Sequence, residues 1–207
     1  MIFRDRLDAA QRLVCKLAQY RDQNPLVLAI PRGAVPMAKI IADELGGDAD
    51  IVLVRKLRAP GNPEFAIGSV DETGWTYLGD YAEQVGGSSQ YIEAEKAAQL
   101  SVMRERRANY TPIRPPHDPV GRIVIVVDDG LATGSTMIAA LHALRAKSPK
   151  KLICAVPVAP PGTLAKIEPY ADEIVCLSVP PMFYAVGQFY QSFPQVSDEE
   201  VISLLAA

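Results

Sequence analysis

Unbroken apolar runs alternate with amphipathic stretches along most of the chain. The runs 26–30, 51–54 and 123–127 contain no polar residue, a pattern typical of strands that are covered on both faces of a parallel sheet. Apolar residues recur at helical spacing between them, which predicts covering helices. Further predicted elements are helices at 7 to about 24, 37–45, 89–110 and 135–147, a short helix after Pro161-Gly162, strands at 152–156 and 174–179, a Pro-rich link at 112–119 and a final helix after the capping box 197–200. This order predicts an α/β fold, an open and mainly parallel sheet flanked by helices.

Two neighbouring stretches interrupt the alternation. Short predicted strands at 66–70 and 75–78 flank Asp71-Glu72-Thr73-Gly74, a composition that favours a hairpin turn. The segment 55–64 precedes them, begins with Arg55-Lys56 and is rich in Pro and Gly, which disfavours regular structure. We therefore expect a mobile basic loop at 55–64, beside a hairpin.

Length and composition predict one well-buried domain. The chain has 207 residues, 49% of them hydrophobic, which suffices for one core and is short for two, so we expect a single domain over 1–207 with a small accessory region. A net charge of −3 and a pI near 5.5 argue against broad binding to nucleic acid, which normally needs a basic face. No apolar run approaches membrane-spanning length and the amino terminus lacks the apolar core of a signal peptide, so we expect a cytoplasmic protein without a membrane partner.

The cysteines and histidines form no recognisable reactive set. Cys15, Cys154 and Cys176 are odd in number, far apart and flanked by apolar residues, which favours reduced core thiols over disulfides, metal ligands or nucleophiles. His117 and His142 have no neighbouring nucleophile or ligand motif, so both are expected to be structural. A GxSxG elbow and an HExxH helix are absent from the sequence as well.

A cluster of arginines lies near the carboxyl end of the predicted helix 89–110. Arg104, Arg106 and Arg107 follow early acids, an order that suits the helix dipole. Charge runs on helices are mostly solvated, so a surface role is the first expectation. A subunit contact or an anion site is the alternative.

The most specific chemical signal begins where the run 123–127 ends. Asp128 and Asp129 follow that predicted strand, and open α/β sheets bind their ligands at the carboxyl ends of the strands. The next loop, 132–136, supplies backbone N–H groups, hydroxyls and a helix amino terminus, which suit a phosphate monoester. Two carboxylates beside a phosphate site can accept hydrogen bonds from a vicinal diol. The pattern therefore predicts a site for a phosphorylated sugar, and the alternative is a buried strand whose acids only cap a helix.

The stretch 123–136 resembles the phosphoribosyl diphosphate (PRPP) motif of the type I phosphoribosyltransferases. In that motif four apolar residues, two acids and a Thr-Gly-x-Thr-like loop follow one another, as they do here. One position departs, because Gly130 stands where the family usually carries an aliphatic residue. A P-loop is excluded, since Gly134 is followed by Ser135 without the required Lys.

The resemblance implies an activity and assigns roles to the motif residues. It implies transfer of ribose 5-phosphate from Mg-PRPP to a purine or pyrimidine base with release of pyrophosphate, Mg²⁺ as cofactor, and a homodimer. Asp128 and Asp129 would be catalytic, bind the ribose and hold Mg²⁺ directly or through water. A small hood from about 180–207, with amino-terminal contributions, would cover the sheet edge. The residues assigned to the ribose 5-phosphate are, besides the two acids, Ala132, Thr133, Gly134, Ser135 and Thr136.

Two other loops resemble the pyrophosphate-binding parts of this family. Arg32-Gly33 ends the first predicted strand and is similar to the Arg-Gly turn of the xanthine-guanine enzymes. Arg55-Lys56 is similar to the entry of the catalytic flap in the adenine and orotate enzymes, which implies a catalytic role for Lys56. From the residues alone, Arg32-Gly33 also fits an ordinary turn, and Arg55-Lys56 fits the solvated end of a strand.

The acceptor and the outcome of binding are open at this stage. Five aromatic residues lie in 183–193, and Phe183 and Tyr184 are candidates for stacking on a base, although aromatic residues also fill cores. One alternative function is a regulator that senses PRPP or a nucleotide and keeps the fold without turnover. Another is a hydrolase or phosphatase that acts on a sugar phosphate.

Overall fold

The computed structural model describes residues 1–110 and 115–206, in which six α-helices surround two β-sheets. The helices are α1 (Arg6–Leu17), α2 (Val35–Leu45), α3 (Ser89–Tyr110), α4 (Ser135–Arg145), α5 (Pro161–Ile167) and α6 (Asp198–Ala206). The strands are β1 (Leu26–Ala29), β2 (Asp48–Ile51), β3 (Val54–Ala59), β4 (Asn62–Asp71), β5 (Thr76–Leu78), β6 (Ile123–Val127), β7 (Lys151–Val158) and β8 (Glu173–Ser178). Of the predicted Pro-rich link 112–119, residues 112–114 lie outside the described part of the chain.

The larger sheet has five parallel strands in the order β2-β1-β6-β7-β8. The strand order reverses between β1 and β6, where Ala29 pairs with Val127 at the carboxyl ends. The turn after β1 and the loop after β6 therefore leave the same sheet edge side by side, the position where such sheets bind ligands. The predicted open, mainly parallel α/β sheet flanked by helices is confirmed.

Both faces of this sheet are covered, which explains the unbroken apolar runs. Every residue of β1 and β6 is buried. Alternate side chains point to opposite faces of a strand, so Ile125 packs in one core with Leu13 of α1, and Val126 packs in another with Ile138 of α4. The ends of β1 and β6 are thus held rigidly from both sides.

The segment 55–64 forms a β-hairpin, so the expectation of a loop without regular structure is wrong. β3 pairs antiparallel with β4, with Leu57 opposite Gly68, and the turn lies at Pro60-Gly61. Leu57 is fully buried and anchors the strand. The pairing register shifts on both sides of Arg58, and this irregular end of the ladder accommodates the Pro and Gly residues on which the loop prediction rested.

The predicted hairpin of strands 66–70 and 75–78 is confirmed, since β4 pairs antiparallel with β5. The predicted strand 51–54, by contrast, is misplaced. β2 ends at Ile51, where the predicted strand begins, and Val54 starts β3 in the antiparallel sheet. β2 is an edge strand that begins with Asp48, whose Oδ2 lies 2.8 Å from Arg122 Nη2. An acid with such a partner is compatible with a sheet edge. Because β2 contains acids, a search for unbroken apolar runs does not detect this strand.

The three cysteines differ in burial, and one of them is not in the core. Cys154 is buried in β7 and Cys176 is half-buried, while Cys15 is exposed, which corrects its assignment as a core thiol. Cys15 lies on the solvent side of α1, between the buried Val14 and Leu17. All three cysteines are free.

Residues 180–206, which we call the hood, pack against the amino terminus. The Phe3 N–H donates to the Phe189 carbonyl at 2.8 Å, and the Gln191 N–H donates to the Phe3 carbonyl at 2.9 Å. The Tyr190 hydroxyl donates to the backbone carbonyl of Asp129 at 2.6 Å, so the hood reaches the carboxyl end of β6. Residue 207, the last residue of the predicted hood, lies outside the described part.

Candidate active site

A cavity of about 420 Å³ opens at the carboxyl edge of the parallel sheet. It lies between the ends of β1 and β6 on one side and the β3-β4 hairpin on the other, and its wall carries both acids and basic side chains. The predicted site residues that line it are Gly33, Arg55, Lys56, Asp128, Asp129, Ala132, Thr133, Gly134 and Thr136. The predicted residues Arg32, Ser135, Phe183 and Tyr184 are not part of its wall.

The loop after β6 is held tightly at the start of α4. Gly134 precedes the helix with φ +78°, a conformation that favours glycine, and a Cβ there would lie 2.8 Å from Thr163 Cγ2. The Thr163 hydroxyl donates to the Ala132 carbonyl at 2.6 Å. Ser135 is buried, and its carbonyl accepts a hydrogen bond from the Ser69 hydroxyl at 2.6 Å, which ties the loop to β4. The loop therefore presents the first N–H groups of α4 to the cavity in a fixed arrangement.

Asp129 is anchored to the amino-terminal helix. Arg6 Nε donates to Asp129 Oδ2 at 2.9 Å, Nη2 lies 2.9 Å from the same oxygen, and the two side chains are only 10% and 15% exposed. The Arg6 guanidinium also lies over the Phe193 ring, 3.9 Å from its centroid. A Cβ at Gly33 would overlap Asp129 Oδ2, so glycine is required for this close approach. One carboxylate of the motif is thus neutralised by a cation distant in the sequence.

Asp128 makes no ion pair with any residue that the structure describes. Its Oδ1 accepts the backbone N–H of Asp129 at 2.9 Å. Burial raises the pKa of Asp128 well above its ordinary value, and the neighbouring carboxylate of Asp129 adds to that effect, while the positive charges of Lys56 and Arg6 oppose it. A carboxylate in such surroundings gains most from a cation or from hydrogen-bond donors, so Asp128 is the acid available to a ligand.

Basic side chains from the hairpin and from α3 form the opposite wall. Arg55, Lys56, Arg58 and Arg106 line the cavity there. Arg55 Nε donates to Gln99 Oε1 at 2.9 Å, and burial together with nearby arginines lowers the pKa of Arg55. The wall therefore has several positive charges, and together they suit a multiply charged anion.

The turn after β1 contributes backbone rather than a basic side chain. Pro31 and Gly33 line the cavity, and the peptide bond between Pro31 and Arg32 is cis. Arg32 Nη1 lies 3.6 Å from Asp198 Oδ2 of α6, which directs the guanidinium toward the hood. The structure thus brings Gly33 to the site and holds Arg32 at its border.

The predicted base-binding aromatics lie away from the cavity. Tyr184 is 84% exposed, and Phe183 packs on Phe189 with ring centroids 5.2 Å apart. Val186 is the hood residue in the cavity wall. It also explains Gly130, because a Cβ at Gly130 would lie 2.6 Å from Val186 Cγ1. The space for the aliphatic residue of the family motif is filled here by the hood.

Sequence reasoning missed three contributors to this site. Arg6 pairs with an acid 123 residues away, and no local pattern marks it. The sequence marks Arg106 only as one member of a charged helix face, and the structure places it in the cavity wall. Val186 could have been found by asking what compensates for Gly130.

The donor atoms of the site suit a hard divalent cation rather than a transition metal. Among the described residues, no three His, Cys, Asp or Glu side chains form a metal-binding group. Asp128 and Asp129 offer carboxylate oxygens only, and one Asp129 oxygen is occupied by Arg6. Such a pair fits an ion that keeps most of its water or binds ligand oxygens, as Mg²⁺ does.

Comparison with known proteins agrees with this geometry. The family model "Phosphoribosyl transferase domain" matches residues 3–193. A Mycobacterium tuberculosis protein, provisionally named a phosphoribosyl transferase, is 40% identical over 207 residues, which cover 99% of this chain and 46% of that protein. The chain thus spans about half the length of the curated relatives it matches.

Solved structures share the fold. A Thermus thermophilus crystal structure is 45% identical, with a TM-score of 0.83 over 100% of this chain and 98% of that one. An Aquifex aeolicus structure, 15% identical, has a TM-score of 0.52 over 84% of this chain and 74% of its own, which shows the fold alone. On the family match over most of its length and the identity to these relatives, the chain belongs to the phosphoribosyl transferase domain family.

Proposed function

We propose that this protein transfers ribose 5-phosphate from Mg-PRPP to a nitrogenous base and releases pyrophosphate. The observation that carries the proposal is that a single cavity joins the loop at the start of α4, the Asp128 carboxylate without an ion pair, and a basic wall. PRPP has a 5-phosphate, a ribose diol and a pyrophosphate, and each of these has a chemically matching part of the wall.

The loop residues and the acid would bind the sugar end. Backbone N–H groups at the start of α4, with the hydroxyls of Thr133 and Thr136, would donate to the 5-phosphate. Asp128 would accept hydrogen bonds from the ribose diol, since its carboxylate has no cation of its own. Asp129, held by Arg6, would position the loop backbone beside the ribose.

The basic wall would assist bond breaking. As the bond between C1′ and the pyrophosphate oxygen breaks, the electron pair leaves with pyrophosphate and C1′ gains positive charge. The base nitrogen then donates its electron pair to C1′, and its N–H proton passes to the released pyrophosphate or to water. Lys56 and Arg55 would stabilise the charge on the leaving group, and the Asp128 carboxylate would favour the cationic ribose. Mg²⁺ would neutralise pyrophosphate oxygens when bound, and Asp128 is the side chain best suited to hold it, directly or through water.

Incubation with Mg-PRPP and a panel of purine and pyrimidine bases tests the proposal. Release of pyrophosphate that depends on a particular base supports transfer. Release without any base would instead support a hydrolase, and saturable binding of PRPP without release would support a sensing regulator. Lys56→Ala is the informative variant, because a cation that acts on the leaving group lowers turnover more than the affinity for PRPP.

The homodimer implied by the family resemblance is part of this proposal. Light scattering during size-exclusion chromatography measures the molar mass in solution. The mass of two chains is expected, and the mass of one chain would contradict the homodimer.

A further inference from the structure

α3 runs beside the β3-β4 hairpin and brings one arginine of its charged cluster to the cavity. Arg106 is half-buried and lines the cavity wall. Arg104, two residues earlier, is exposed and lines only a separate surface groove. Arg107 pairs with Glu72, with Nη2 2.6 Å from Oε2. The three arginines therefore have three different environments, and only Arg106 faces the cavity.

Arg106 has no ion-pair partner within the described part of the chain. It makes no ion pair or hydrogen bond there, and its charge lowers the pKa of Arg55, as do those of Arg58 and Arg32. The carboxylate near this group, Glu95, already accepts the backbone N–H of Arg58 at 3.1 Å and is bonded to Gln99 Nε2 at 2.9 Å. Positive charges held together at a cavity repel one another until an anion binds.

We propose that Arg106 binds the pyrophosphate group of PRPP, together with the side chains of the hairpin. This inference rests on the proposed function. The 5-phosphate would occupy the loop at the start of α4 and the ribose would lie at Asp128, so the basic wall formed by Arg55, Lys56, Arg58 and Arg106 faces the remaining anionic end of the substrate.

This assignment explains how a hairpin replaces the expected mobile loop. Arg106 extends from a helix of 22 residues, and β3 is fixed by its ladder to β4. Positive charge for the leaving group is then supplied by rigid elements on two sides, and it is present before the substrate binds.

Calorimetric titration with a ligand that has the pyrophosphate and one that lacks it, both in the same Mg²⁺ buffer, tests the inference. Ribose 5-phosphate and Mg-PRPP are titrated into wild type, Arg106→Gln, Arg106→Lys and Arg104→Gln. Arg106→Gln should weaken Mg-PRPP binding about tenfold or more, the effect of losing one charge-assisted hydrogen bond, and leave ribose 5-phosphate binding unchanged. Arg106→Lys should restore part of the affinity, and Arg104→Gln, with the same loss of charge, should bind both ligands as wild type does.

The possible outcomes separate this inference from the proposed function. Unchanged Mg-PRPP affinity in Arg106→Gln, or an equal loss in Arg104→Gln, overturns the role of Arg106 while wild type still binds both ligands. Loss of ribose 5-phosphate binding in Arg106→Gln overturns it too, since that result points to a structural role. If wild type binds neither ligand, the proposed function fails and the assignment of Arg106 fails with it.

Discussion

Asp128 and Asp129 are adjacent in the sequence but differ in what they can do. Asp129 is paired with Arg6, whereas Asp128 is half-buried beside that acid without a cation in contact. Neighbouring side chains of a strand point in opposite directions, so the motif predicts two acids but not which of them a ligand can reach. The contact with Arg6 occupies Asp129 and leaves Asp128 as the acid that a ligand can reach.

Asp128→Asn should stabilise the folded protein and abolish PRPP binding. The folded pKa of Asp128 is raised, so the folded state loses stability as the pH rises from the unfolded pKa through the folded one, and asparagine does not titrate. The advantage of the variant in free energy of unfolding should therefore grow as the pH rises from the unfolded pKa of an aspartate toward the raised folded pKa. Thermal unfolding at several pH values measures it. A variant that is less stable than wild type at every pH would contradict the electrostatic description of this acid.

Arg6→Gln should destabilise the protein and weaken PRPP binding. It leaves the Asp129 carboxylate partly buried without its cation, which should cost about 2 to 4 kcal/mol. Arg4→Gln is the matched control, because the Arg4 side chain is 71% exposed and lies 3.7 Å from Asp8. Chemical denaturation of both variants gives the comparison. Equal stability of the two would show that the Arg6 pair contributes nothing to the fold.

The β3-β4 hairpin is the element in which the sequence prediction and the structure differ most. Pro and Gly between Arg55 and Glu64 predicted an irregular loop, but the buried Leu57 and the pairing with β4 determine the conformation. Composition describes local preference only, and here packing against α3 and α4 outweighs it. The sequence predicted the bounds of α3 from its strong helix formers and those of β6 from its fully apolar run, and both agree with the structure.

Hydrogen exchange should distinguish the hairpin from a mobile loop. Without ligand, the β3 amides that donate to β4 in the regular part of the ladder, around Leu57, should exchange slowly, and the Gly61 amide at the turn should exchange fast. Added Mg-PRPP should slow exchange mainly at the tip. Fast exchange throughout 55–64 in the free protein would restore the loop interpretation.

At the scale of the whole molecule, the alternation of apolar runs and helices predicts the parallel sheet. The complete site depends in addition on contacts between residues far apart in the sequence. β1 and β6 end side by side at the same edge of the sheet, and this placement follows from the rule for parallel sheets. Arg6, Arg106 and Val186 reach the cavity from the amino terminus, α3 and the hood, and their positions depend on tertiary packing that no local pattern encodes. Among the described helices, none combines the length and hydropathy needed to cross a bilayer.

The central claim is that the loop after β6 binds the 5-phosphate of PRPP, and calorimetry of Mg-PRPP with wild type and Thr133→Val tests it most directly. Wild type should bind one Mg-PRPP per chain in a saturable manner. Thr133→Val should weaken the binding by about 1.5 to 3 kcal/mol, because it removes one hydroxyl contact to a charged phosphate. The absence of saturable binding to wild type, or equal affinity of the two proteins, would contradict the claim.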